Sequence, residues 1–118
     1  MKRRLTRKQL QTLAERWQQD LRLPHWKLTT KWLKPNPDGE LNQGEIWWDT
    51  EELIAEMKVD QDGPDIEGTV VHELLHLWFD AIHGEYRGHS IANEQAINAI
   101  TGALVSRKRY LRGRSPKV

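Results

Sequence analysis

The residues best suited to chemistry lie together in Val70-Val71-His72-Glu73-Leu74-Leu75-His76-Leu77-Trp78-Phe79, an apolar run interrupted by the pattern H-E-x-x-H. If this run is an α-helix, His72 and His76 stand one turn apart on one face, about 6 Å along the axis. Two imidazoles at that spacing can hold one metal ion, and the adjacent Glu73 can act on a water at that ion. The competing reading is two core histidines satisfied by backbone carbonyls, with Glu73 paired to a Lys or Arg. That reading requires three separate polar burials, whereas a single ion accounts for all of them.

The elements that must position these side chains can be read from period and punctuation. Asp65 is a candidate N-cap for the motif helix, and His83-Gly84 is its expected end. Upstream, Leu10, Leu13, Ala14, Trp17 and Leu21 recur at helical spacing over 6–23, with Pro24 expected to end the helix. Residues 25–33 alternate, with Trp26, Leu28, Thr30 and Trp32 on one face, as in a half-buried strand. Pro- and Gly-rich turn residues follow at 34–39, then strands at 41–49 and 53–59. Short connections between consecutive strands imply an antiparallel sheet. Gly44 marks a bulge or a close backbone approach. A last helix over 91–111, capped by Ser90 or Asn93, carries an apolar stripe of Ile97, Ile100, Ala103 and Leu104. The expected fold class is α+β, one domain over 1–118.

Composition narrows the function classes. A chain of 118 residues supports one core, and a mean hydropathy of -0.78 fits a soluble protein with a polar surface. No apolar run approaches membrane-spanning length and no signal-peptide core is present, so a cytoplasmic, bacterial or phage-like setting is expected. With no cysteine, His and carboxylate are the available metal ligands. Five of the eighteen basic residues fall in 1–8 and six in 107–118, leaving seven against seventeen acids between them. Such basic ends are solvated arms, rest on the acidic body, or contact nucleic acid. Five of the six tryptophans sit at periodic positions suited to a small core. In Trp47-Trp48 one ring must leave the core or meet another element, and that ring could floor a substrate cleft.

A catalytic metal site needs a third protein ligand. His83 is about 10 Å along the helix from His76, too far to share an ion. Asp80 qualifies only if the helix bends, and the segment after His76 lacks the extended H-E-x-x-H-x-x-G-x-x-H pattern. Glu94, in the first turn of the last helix, is the expected ligand, with Asn98 one turn on to hydrogen-bond a ligand or a motif histidine. The bland alternative is that Glu94 only favours the helix N-terminus electrostatically. The loop residue His89 is the rival ligand.

His72-Glu73-Leu74-Leu75-His76 followed by Asn93-Glu94-Gln95-Ala96-Ile97-Asn98 resembles the gluzincin branch of the zincin metallopeptidases. The short format resembles minigluzincins and phage-type metallopeptidases. The resemblance covers most of 25–105, although only the two motif segments are specific. It implies an N-terminal helix, a small antiparallel sheet of about three strands, the H-E-x-x-H helix and a C-terminal glutamate helix. It further implies Zn²⁺ bound by His72, His76 and Glu94, Glu73 as general base, and a peptide or protein substrate. No second subdomain forms the far wall of a cleft, and the oxyanion-stabilising residue stays open among His83, Tyr86, His89 and Tyr110. A competing resemblance is to SprT-like proteases acting on DNA-linked proteins. There the third ligand is a loop histidine, and the basic ends would meet nucleic acid. A zinc-stabilised binding or regulatory module without catalysis is the alternative from another class.

Overall fold

The computed structural model describes residues 4–34, 43–82 and 91–113. Its elements are helix α1 (Arg7–Asp20), strands β1 (Lys27–Trp32), β2 (Gly44–Asp49) and β3 (Ile54–Val59), and helix α2 (Ile66–His76). A π-helical stretch, Leu77–Ile82, continues α2, and helix α3 (Ile91–Gly113) follows. The α+β class and the order of helices and strands match the expectation from the sequence. Among the described residues no helix is long and apolar enough to cross a membrane.

Helix α1 opens on a reciprocal cap, in which the Thr6 hydroxyl accepts from Gln9 N at 3.1 Å and Gln9 Oε1 accepts from Thr6 N at 2.8 Å. It stops at Asp20, before Pro24 can act. Arg22 adopts a left-handed φ of 62°, and the amides of Arg22 and Leu23 donate back to the carbonyls of Gln19 (3.1 Å) and Gln18 (2.9 Å). This arrangement closes a helix end by satisfying its last carbonyls.

The sheet order is β1-β3-β2. β2 pairs antiparallel with β3, as expected, but β1 runs parallel to β3. The expectation of an all-antiparallel sheet therefore needs correcting. β2 lies on the far side of β3 from β1. The β2–β3 pair then places β3 in the centre, where Ala55, Met57 and Val59 are buried. Strand neighbours follow from this long-range burial and not from chain order.

All three strands turn one face towards the helices, and the core forms there. Leu10, Ala14 and Trp17 of α1 pack with Leu28, Met57, Val70, Val71, Leu74, Leu77 and Ile97. The two sheet edges differ. Along β1, the Gln11 side chain donates to Leu28 O at 2.7 Å and accepts from Thr30 N at 2.8 Å, so a helix side chain satisfies that edge. β2 forms the opposite edge. Asp60 N donates to Gln43 O at 2.8 Å, which fixes the alternation along the β2–β3 ladder. The main-chain groups of Gly44 and Ile46 consequently point away from β3.

Candidate metal centre

Helix α2 is anchored at Asp65, whose Oδ1 accepts from Gly68 N at 3.0 Å as the N-cap. The helix lies hard against β2, because a Cβ built on Gly44 would stand 2.6 Å from Thr69 Cγ2 and 3.3 Å from Glu73 Cγ. The sequence expectation of a close backbone approach at Gly44 is met, and the missing side chain lets Glu73 sit buried under the strand. Glu73 is 7% exposed. Burial raises its pKa to about 7, opposed by His76 and assisted by the carboxylates of Glu94 and Glu45.

His72 and His76 share a face as the helical spacing requires, with their Nε2 atoms 3.2 Å apart. The rings meet edge to face, with centroids 4.9 Å apart. Burial and then the neighbouring His76 lower the pKa of His72, so the ring favours the neutral state in which a nitrogen can donate a lone pair. Donor atoms of His72, Glu73 and His76 lie within 4.8 Å of one another, so this group could hold a metal ion.

Glu94, in the first turn of α3, is the carboxylate that touches both rings. Its Oε1 is 2.7 Å from His76 Nε2 and its Oε2 is 3.5 Å from His72 Nε2. Tetrahedral coordination with bonds of about 2.0–2.1 Å separates the ligand atoms by about 3.3 Å. The two Nε2 atoms stand 3.2 Å apart, and one oxygen of the Glu94 carboxylate faces each ring, so two imidazoles and a carboxylate converge closely enough for a single divalent ion.

Two further side chains orient the imidazoles. Asn98 hydrogen-bonds His72, the role expected of it from its place one turn after Glu94. Asp80, weighed in the sequence as a ligand on a bent helix, instead takes the other nitrogen of His76. The Asp80 carboxylate can only accept, so His76 Nδ1 donates to Oδ2 at 3.0 Å. The proton is thereby fixed on Nδ1, which leaves Nε2 as a lone pair facing His72 and Glu94. The bond spans the junction where α2 passes into the π-helical stretch Leu77–Ile82. Its spacing of four residues from His76 was the available signal in the sequence.

The remaining sequence candidates fall in different places. His83, Tyr86 and His89 lie outside the described residues, as do Gly84 and Ser90. Tyr110 is half exposed and sixteen residues beyond Glu94 on the same helix, about 24 Å away, so it cannot serve this site. Of the tryptophan pair, Trp47 is the ring that leaves the core, at 59% exposure. Neither ring lines the cleft beside the site.

The basic ends are in part helical. Residues 107–113 form the end of α3, where Lys108 pairs with Asp20, Arg109 with Asp65 at 2.9 Å and Arg112 with Glu67 at 2.8 Å. At the other end of the chain, Arg4 pairs with Asp62 at 2.7 Å. These four cations rest on the chain's own acids. Comparison with known proteins found no family model, no curated protein and no solved structure that matches this chain.

Proposed function

We propose that the protein is a zinc metallopeptidase in which His72, His76 and Glu94 hold the ion and Glu73 is the general base. The convergence of two imidazoles and a carboxylate from two helices, at separations of 2.7–3.5 Å, carries this reading. Zinc at such a site lowers the pKa of a water towards about 7 and polarises a carbonyl. Glu73 then takes the proton from the attacking water and returns it to the leaving amine. Its burial supports this role, because a carboxylate with a proton affinity close to neutrality can both accept and give back a proton. Asp80 and Asn98 hold the imidazoles in orientation while this happens. An extended peptide would add antiparallel along β2, meeting the outward main-chain groups of Gly44 and Ile46.

The test is Glu73→Gln. The variant should bind zinc as the wild type does and lose peptide hydrolysis by at least about a hundredfold. Full activity in a variant that still binds zinc would contradict the role given to Glu73. A second reading is supported by the position of the donors between α2 and α3, where an ion would also fasten two helices without any catalysis. Peptide turnover by the zinc-loaded wild type separates the two readings.

A further inference from the structure

A cleft of about 350 Å³ opens beside the donor cluster, towards the N-terminus of α2, between β2 and α3. We propose that this cleft receives a substrate side chain next to the scissile bond and selects an uncharged side chain that both donates and accepts hydrogen bonds, an amide or a hydroxyl. This deepens the peptidase reading and rests on it.

The placement follows from the walls. His72 and Glu73 line the cleft, so any group lodged there lies against one metal-binding imidazole and the general base. Gly44 lines it too, at the start of the edge strand along which a peptide would run. A side chain entering the cleft therefore belongs to a residue at the reacting bond.

The preference follows from the chemistry of the lining. It contains no aliphatic side chain and no Phe, Tyr or Trp, and apart from the two glycines its members are polar. Thr69 donates its hydroxyl proton to Asp65 O at 3.0 Å, which leaves its oxygen as an acceptor. Asp65 adds a carboxylate already paired with Arg109 at 2.9 Å, so that part of the lining does not call for a second cation. Thr101 is the sharpest signal. Among the described residues its Oγ1 is the one buried side-chain oxygen without a hydrogen-bond partner. A buried hydroxyl left unpaired is costly, and a helical Thr has two accessible χ1 rotamers through which it can meet an incoming group.

The experiment uses the full-length, zinc-loaded protein and a series of N-acetyl dipeptide hydroxamates that differ only in the side chain beside the chelating group. Binding is measured by calorimetry, with metal content determined on the same samples. The Asn, Gln and Ser probes should bind about tenfold tighter than the Leu and Phe probes. Thr101→Val should abolish that advantage, leave Leu binding unchanged and leave the melting temperature equal or higher, since it removes an unpaired buried hydroxyl. Thr101→Ser should restore the preference. Tightest binding by Leu, Phe or Lys probes, or an unchanged order in Thr101→Val, would overturn the proposal while leaving the metal reading intact. A wild type that takes up no zinc and binds none of the hydroxamates would overturn both.

Discussion

Helices α2 and α3 touch at both ends, and the two ends are held by different kinds of charge. Towards the N-terminus of α2, Glu67 accepts from Trp17 Nε1 of α1 at 2.9 Å and from Arg112 of α3 at 2.8 Å. Asp65 takes Arg109 at the same end. The cations there are built into the chain, and their side chains are about half exposed. At the other end, His72 and His76 of α2 meet Glu94 of α3, and Asp80 backs His76. Fixed arginine charges hold their partners without any added ion, but they are screened by salt. A cluster of imidazoles and carboxylates becomes a strong link once an exchangeable cation joins it. One helix pair therefore has a permanent clasp and a conditional one.

The largest separation between the two ends should come from chelation. At free zinc a thousandfold above the dissociation constant, a site of this kind stabilises the fold by about 4 kcal/mol, a melting shift on the order of 15 °C for a domain of this size. Differential scanning calorimetry with and without chelator measures it. Arg112→Ala should show the same shift from a slightly lower baseline. A chelator-insensitive melting temperature would make the contrast between the ends disappear.

Next in size is Asp80→Asn. An amide keeps the shape but is uncharged, so it accepts the His76 Nδ1 proton more weakly, and zinc affinity should fall about 10–100-fold in competition titrations. The salt dependence of stability, which reports on the arginine end, should not change. Equal zinc affinity in the variant would remove Asp80 from the site.

The smallest effect concerns acid. Burial pushes the Glu67 carboxyl up, but hydrogen bonds from Arg112 and Trp17 with the charges of Arg112 and Arg109 outweigh it and leave the pKa below its ordinary 4.5. A depressed carboxylate adds stability that is complete above about 4.5 and is lost as pH falls through the lower folded value. Chelated wild type should therefore lose this contribution below about pH 4.5, and Glu67→Gln should flatten that limb. With half-exposed arginines the difference is about 1 kcal/mol or less, read from urea midpoints across pH. Identical acid limbs would show that Glu67 contributes nothing through its charge.

What could be read from the sequence was local. His72 and His76 share a face because four residues make about one turn, and Asn98 follows Glu94 by the same rule. Glu94 was within reach because a glutamate in the first turn of a second helix can fold back on the motif. The close approach at Gly44 was marked by a glycine inside a strand pattern. The sheet order was not legible, since β3 enters between β1 and β2 through burial of Ala55, Met57 and Val59 and not through any turn signal. Asp80 reads in the sequence as a ligand only if the helix bends, because sequence period does not reveal where the ring of His76 turns its second nitrogen. The helix end at Arg22 is not legible in the sequence, because arginine in a left-handed conformation carries no signature, unlike glycine.

The central claim is that one ion lies where α2 and α3 meet, held by His72, His76 and Glu94. Zinc stoichiometry and affinity of the wild type beside Glu94→Ala and His89→Ala test it most directly. The expected result is one zinc per chain in the wild type and in His89→Ala, with affinity reduced at least about a hundredfold in Glu94→Ala. A wild type that binds no zinc, or a Glu94→Ala variant that binds it undiminished, would contradict the claim.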